Sequence, residues 1–436
     1  MDRLLTTRLI DWKAQKKRKP VLLDGARQVG KSYLIERCFG AEHFRKVIKL
    51  DFLTNPDLAN IFSASLKPQD VLTAIQVTLG IEIDPKQDLI FFDEIGECQK
   101  ALDCLKFIAE DCPGWFVCSS GSNMGLIDSF PVGKVEILEL FPMCFEEFLM
   151  ASGNTMLLQC YRDMSRLQVV HDKVWQLMLD YYFVGGMPEA VNAWYNTENK
   201  GVIEKSGKVS AIHRDLVAGY QKDFGKYSGK VNAQQIETVF SNIPSQLAKN
   251  IDGSVKRYRF GGIIEKKKGY KDLNGPIEWL EKTRLISKCY PITTEPASPL
   301  MAYKKESLFK LFFFDVGLLG HMLGLSYTEH QVQNFSYKGY LAENFVQNEL
   351  RVIGYYPTYS WNVKESEVEF LFKTGAGEII PIEVKSGKRT KAKSLQSYIN
   401  RYNPVKTLKL IGSAGGNEDP VNLVWPLYYA CKVVDL

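Results

Sequence analysis

"VLLDGARQVGKSYLIERCF", residues 21–39, joins an apolar run to a helical pattern through a loop bounded by glycines. The spacing from Gly25 to Gly30-Lys31-Ser32, between a strand and a helix, predicts a phosphate-binding loop. Gly25 and Gly30 let the backbone curl so that its N–H groups converge on phosphate oxygens, and the helix N-terminus adds positive potential. Gly25, Ala26, Arg27, Gln28, Val29, Gly30, Lys31, Ser32 and Tyr33 are therefore expected to hold ATP. Lys31 would reach the β- and γ-phosphates, and the Ser32 hydroxyl would ligate Mg²⁺.

About sixty residues on, "DLIFFDEIGECQ" (88–99) reads as an apolar strand ending in Asp93-Glu94. In a parallel sheet Asp93 emerges near Ser32 and holds the metal through its water shell. Glu94 is placed to orient or deprotonate the attacking water. A third strand, "WFVCSSGSNM" (115–124), ends in Ser119, Ser120, Ser122 and Asn123. Ser120 or Ser122 is expected to sense the γ-phosphate, although a loop of turn formers accounts for any one of them nearly as well. Across residues 1–150, helical patterns alternate with the short runs "PVLLDG", "KVIKLDF", "DLIFFDEI", "GWFVCSSGS" and "VEILEL". Such alternation predicts an α/β domain with a parallel sheet covered on both faces.

Further stretches include "LELFPMCFEEFL" (138–149), "YYFVGGMPEAV" (181–191), "KDFGKY" (222–227), "PLMAYKKESLFKLFFFDVGLL" (299–319) and "IEVKSG". Taken in order with "LLDGARQVGKS", "FFDEIGE" and "SGS", the chain resembles AAA-type ATPases that carry a C-terminal domain of unknown function. The resemblance runs over nearly the whole length. It implies an AAA+ P-loop core, a winged-helix-like middle and a PD-(D/E)xK nuclease-like C-terminal domain, here expected at 1–155, 156–325 and 326–436. Lys134 stands where such proteins more often have arginine; were it to serve the nucleotide site, it would supply a point charge rather than a planar fork. "GGMPE" (185–189) and Asp223 invite a catalytic reading, but Gly185-Gly186 before Pro188 reads better as a helix-breaking turn. Arg166 and Arg214 are weak candidates for a trans-acting arginine finger. AAA-type sites often lie between protomers, so a homo-oligomer is expected as readily as a monomer.

The middle region reads as helical, with helices over 233–250 and 273–286. Between them, "KRYRFGGIIEKKKGYK" (256–271) carries seven basic residues against one acid, with Tyr258, Phe260 and Tyr270 interleaved. Cations and aromatics together suit contact with DNA or RNA, and a solvated loop is the plainer alternative.

The C-terminal region places Glu343 in the helix "YLAENFVQNEL" and Glu367 and Glu369 on one face of the strand "SEVEFLF". Glu383 and Lys385 share a face of "IIPIEVKSGK" (379–388). A helix carboxylate, a strand carboxylate and an E-x-K strand form the skeleton of PD-(D/E)xK nucleases, whose carboxylates bind Mg²⁺ while the lysine positions water or stabilises charge. The central ligand there is usually aspartate, and Glu369 moves the carboxylate by about one bond length. Residues 385–409 add Lys385, Lys388, Arg389, Lys391, Lys393, Arg401, Lys406 and Lys409 without an acid, a second face for a polyanion.

Composition sets the frame for these readings. A chain of 436 residues with 45% hydrophobic and 24% charged residues predicts two or three globular domains. The net charge of +5 is too mild to imply a polyanionic partner by itself. Nine scattered cysteines without a CxxC pair predict reduced thiols in a cytoplasmic chain. Lys310, Asp315 and His321 interrupt the apolar stretch "LFKLFFFDVGLLGHMLGL" (308–325), which predicts core rather than a membrane span. Together these features predict a cytoplasmic Mg²⁺-dependent ATPase whose cycle rearranges DNA-binding-like and nuclease-like modules. An ATP-regulated nuclease and a nucleotide-gated protein-binding switch are the alternatives.

Overall fold

The computed structural model describes the chain apart from Asn123, 127–129, 197–200, 229, 250–256, 333–337, 388–391 and 417–418, and apart from the side chains of 226–231 and 338. Two compact units emerge: Met1–Phe141 with Lys282–Arg284, and Pro142–Glu281 with Leu285–Leu436.

The first unit is built on five parallel strands, β1 (Val21–Asp24), β2 (Val47–Asp51), β3 (Leu89–Asp93), β4 (Val117–Gly121) and β5 (Glu136–Glu139), in the order β2-β3-β4-β1-β5. Every residue of β1, β3 and β4 is buried, which is why these segments read as short apolar runs rather than as alternation. Helices Pro68–Leu79 and Gln99–Asp111 contribute Val71, Ile75, Leu102 and Leu105 to the core. Pro68 opens the former, and Gly80 closes it in the left-handed conformation at φ 64°. Phe52, Phe62 and Phe92 meet at centroid distances of 5.7–6.0 Å within that core.

The second unit holds a mixed sheet of seven strands: β6 (Ile286–Ile292), β7 (Lys310–Phe313), β8 (Thr358–Val363), β9 (Ser366–Lys373), β10 (Ile379–Lys385), β11 (Thr407–Ile411) and β12 (Asn422–Pro426). Their order is β12-β11-β10-β9-β8-β6-β7. Strands β8, β9 and β10 form an antiparallel meander, and helix Lys393–Tyr402 crosses over to make β11 parallel to β10. Helix Lys338–Val352 precedes β8.

These units differ from the boundaries read in the sequence. The chain divides at Phe141/Pro142 rather than near 155, and no sheet ends at 325. Strands β6 and β7, expected in a helical middle domain, extend the C-terminal sheet through parallel pairing of β6 with β8. The helices expected at 233–250 and 273–286 run over Lys230–Leu247 and Tyr270–Lys282, and β6 takes up the end of the second segment. The apolar stretch 308–325 supplies β7 and helix Val316–Met322. Among the described residues no helix is long and apolar enough to cross a membrane.

Candidate nucleotide site and carboxylate cluster

β1 ends at Asp24, beside Gly121 of β4, and the loop 25–30 leads into a helix opening at Lys31–Tyr33. That helix continues through Leu34–Gly40 with a wider π-type turn. The loop has little room. A Cβ on Gly25 would lie 2.3 Å from the Leu140 carbonyl oxygen, and Gly30 has φ 92°. Gln28 is also left-handed, at φ 63°. Buried Arg3 donates to the Val29 carbonyl at 2.9 Å and to the Phe141 carbonyl at 2.7 Å, strapping the loop from the N-terminus. Asp24 accepts from the Gly25 N–H at 2.8 Å and pairs with Arg284 at 2.9 Å.

Lys31 is buried, and its ammonium donates to the Gly25 carbonyl (3.0 Å), the Ala26 carbonyl (2.8 Å) and Ser122 Oγ (2.9 Å). Burial pushes its pKa down to about 8, against the opposing pull of Glu94, Asp24 and Asp93. The Ser32 hydroxyl donates to Asp93 Oδ1 at 2.8 Å, and the Ser120 hydroxyl donates to the same oxygen. Lys49 Nζ on β2 lies 2.8 Å from Asp93 Oδ2. Glu94 sits at φ 49°, an uncommon conformation for a side chain of this type. Its carboxylate accepts from the Ser122 N–H and hydroxyl at 3.4 Å each.

The expected residues Lys31, Ser32, Asp93, Glu94, Ser120 and Ser122 are thus brought together, while Ser119 turns away to the Val21 carbonyl at 2.8 Å. Tyr33 is 55% exposed. Asn123 lies outside the described residues. Lys134 is not at this site: it precedes β5, whose first residue pairs with Val21 at the opposite strand ends, and it binds Glu110 at 2.7 Å. A hydroxyl and a carboxylate are hard oxygen donors, and they fit Mg²⁺ at Ser32 and Asp93. Sequence reasoning missed Lys49, Arg3 and Arg284; only the alternation of β2, which puts Lys49 and Asp51 on one face, carried a signal.

In the second unit, Lys385 Nζ lies 2.7 Å from Glu383 Oε1 and 3.6 Å from Glu369 Oε1. Glu369 Oε2 accepts from the Val384 N–H at 3.0 Å. Burial, with the Glu383 charge adding to it, holds the Glu369 carboxyl well above the usual carboxylate range. Glu343 meets a lysine the sequence did not flag: Lys310 Nζ lies 3.0 Å from Glu343 Oε2 and 2.8 Å from Glu367 Oε1. Among the described residues no three carboxylate, histidine or cysteine side chains are arranged to hold a metal ion.

The remaining candidates have structural surroundings. Gly185 (φ 69°) and Gly186 turn around Asp315, which accepts from the Gly186 N–H at 2.7 Å and caps helix Val316–Met322 through Leu318 N–H at 2.8 Å. Burial pushes Asp315 up to about 6. In the basic segment, Tyr258, Phe260 and Tyr270 pack with Phe309 at 5.8–6.4 Å rather than standing free for bases. Arg257, Arg259, Lys266, Lys268 and Lys271 are largely solvent-facing, Lys267 binds Gln235 at 2.7 Å, and Lys256 lies outside the described residues. Of the second basic set, Lys388, Arg389 and Lys391 lie outside the described residues, Arg401 stacks over Trp361, and Lys406 binds the Leu436 carbonyl. Arg214 lies 3.7 Å from Asp215, and Arg166 packs near Gly416.

An AAA-type P-loop ATPase domain lies at the N-terminus, and the loop after β1 belongs to it. The family described as "AAA domain" matches residues 17–149, and two families described as "Domain of unknown function", DUF8612 and DUF4143, match 176–329 and 338–429. ATP binding and hydrolysis are supported at the level of that first family. No curated protein matches the chain. Among solved structures, C. elegans PCH-2 is similar at 13% identity over 48% of this chain and 63% of that one, with a TM-score of 0.27. The chain thus spans less than two-thirds of that relative. AMPPCP-bound DnaA from Aquifex aeolicus is similar at 12% identity over 64% of this chain and 86% of that one, with a TM-score of 0.28.

Proposed function

We propose that the chain is a Mg²⁺-dependent ATPase whose hydrolysis cycle rearranges DNA-binding-like and nuclease-like modules acting on nucleic acid. The observation that carries the ATPase reading is the convergence of Lys31, Ser32, Asp93, Glu94, Ser120 and Ser122 at the carboxyl ends of β3 and β4. Lys31 would exchange its carbonyl and Ser122 partners for β- and γ-phosphate oxygens. Ser32 and Asp93 would hold Mg²⁺, which when bound neutralises phosphate charge. Glu94 would accept the proton of the attacking water, and Ser122, touching both Lys31 and Glu94, would report the state of the γ-phosphate. A homo-oligomer with Arg166 or Arg214 acting across protomers is compatible with this chemistry.

The nuclease-like reading of the C-terminal region is supported by the order helix, β8-β9-β10 meander, helix, β11, and by Glu369, Glu383 and Lys385 at its centre. The solvent-facing cations of 257–271 support nucleic acid as the partner. An ATP-regulated nuclease is the second reading, favoured by the E-x-K pair. Phosphate release from ATP, with and without DNA or RNA, tests the proposal. Lys31→Ala should abolish turnover, and unchanged activity in that variant would sink it.

A further inference from the structure

Lys310 comes from β7, two strands removed from β8 and three from β9, yet its ammonium ends between carboxylates of the nuclease-like region. Its side chain is 2% exposed, and the strand that carries it is locked by Leu311, Phe312 and Phe313, each 2% exposed or less. Nζ donates to Glu343 on the helix and to Glu367 on β9 at 3.0 and 2.8 Å, distances for charge-assisted hydrogen bonds. Lys385 does the same for Glu383. The carboxylate from the helix, expected to help bind Mg²⁺, is thus already committed to a cation of the chain itself.

We infer that the Lys310 ammonium stands where a metal-dependent nuclease would hold a divalent cation, so that this cluster closes without metal and does not cut nucleic acid. Mg²⁺ requires several oxygen ligands at about 2.1 Å in near-octahedral array. An ammonium fixed between Glu343, one of those expected ligands, and the neighbouring Glu367 takes up the Glu343 oxygen and repels a second cation. Lys310 cannot swing aside cheaply, because leaving would strand the buried Glu343 carboxylate and the half-buried Glu367 carboxylate while β7 stays fixed in the sheet. The inference rests on the nuclease-like reading for the identity of the displaced ion; the Lys310 ion pairs stand independently of it.

The test uses the full nucleotide-free chain carrying Asp93→Asn, which removes the competing metal ligand of the ATPase unit. Mn²⁺ binding is followed by electron paramagnetic resonance, and thermal unfolding is recorded with Mn²⁺ or with EDTA. With Lys310 intact, no Mn²⁺ should bind at up to about 1 mM, the level of the weakest physiological divalent sites, and the melting temperature should not move. Lys310→Met should gain a Mn²⁺ site that raises its melting temperature and disappears with Glu343→Gln. A folded Lys310→Met chain that binds no Mn²⁺ would overturn the inference and withdraw this support from the nuclease-like reading. Mn²⁺-dependent cleavage of DNA or RNA by the Lys310-intact chain, lost with Lys385→Ala, would overturn the inference while upholding that reading. If Lys310→Met does not fold, the neutral variant Lys310→Met with Glu343→Gln and Glu367→Gln decides: folding without metal supports charge neutralisation as the role of Lys310, and failure refutes it.

Discussion

Ser32 of the phosphate loop and Asp93 at the end of β3 share a hydrogen bond of 2.8 Å although 61 residues separate them. The bond joins the two side chains best suited to a common Mg²⁺, and Asp93 is 2% exposed. Asp93→Asn should therefore lower ATP turnover by at least about a hundredfold, because a neutral amide cannot hold the metal that offsets phosphate charge. Ser32→Ala should instead raise the Mg²⁺ concentration needed for half-maximal activity. Steady-state phosphate release across a Mg²⁺ titration separates the two effects, and equal turnover in Asp93→Asn and the parent would remove Asp93 from the mechanism.

Glu94 occupies a left-handed backbone conformation while reaching Ser122, which in turn touches Lys31. Glu94→Gln keeps the shape but loses the proton acceptor. It should bind ATP with affinity within about threefold of the parent and hydrolyse it about a hundredfold or more slowly, the usual range for a lost general base. Fluorescent-nucleotide binding alongside single-turnover hydrolysis gives both numbers. Loss of binding would assign Glu94 to loop architecture instead.

Lys31 gives the site a pH signature. Its proton leaves the free chain as pH rises through about 8, whereas phosphate oxygens would hold it charged in the complex. ATP binding above pH 8 must then take up a proton, and affinity should be about tenfold lower at pH 9 than at pH 7. Calorimetry in buffers of different ionisation enthalpy measures the uptake directly. In the nucleotide-free chain the unfolded state binds more protons between about 8 and 10, so the Lys31 contribution to stability rises with pH there.

The turn at Gly185-Gly186 has no space for a side chain. A Cβ on Gly185 would lie 2.2 Å from Asp315 Oδ1 at φ 69°, and one on Gly186 would lie 2.0 Å from the Met143 carbonyl. Alanine at either position should cost about 2–4 kcal/mol of stability, from strain and from the displaced Asp315 cap. Chemical denaturation reads this out. A catalytic role for the segment would instead lower turnover while leaving the unfolding midpoint in place.

What the sequence disclosed follows from how local each signal is. The phosphate loop is legible because its glycines and lysine must be contiguous, and Asp93 is legible because a parallel sheet brings strand ends to one edge. Glu369, Glu383 and Lys385 are legible through strand alternation. Lys310 is not: it reads as an interruption of an apolar run, and its partners lie 33 and 57 residues downstream. Arg3 and Arg284 were equally silent, since each acts through a neighbour fixed only by tertiary packing. The basic segment shows the converse limit, because composition could not tell that its aromatics face Phe309 while most of its described cations face water.

Those cations supply the last prediction. Arg257 and Arg259 are exposed and lie on a segment held by Gln246 through the Arg259 N–H at 2.9 Å, so their side chains can change without disturbing the aromatic cluster beneath. If they touch phosphates, replacing both with glutamine should weaken binding to any DNA or RNA sequence alike. It should also flatten the plot of log affinity against log salt, by about 0.9 for each duplex phosphate no longer neutralised, or about 0.7 for each single-strand phosphate. Fluorescence anisotropy between about 50 and 200 mM salt, where counterion release dominates the affinity change, measures the slope. An unchanged slope would place these arginines outside any nucleic-acid interface. Absence of salt-sensitive binding in the parent chain would turn the proposed partner from nucleic acid to protein.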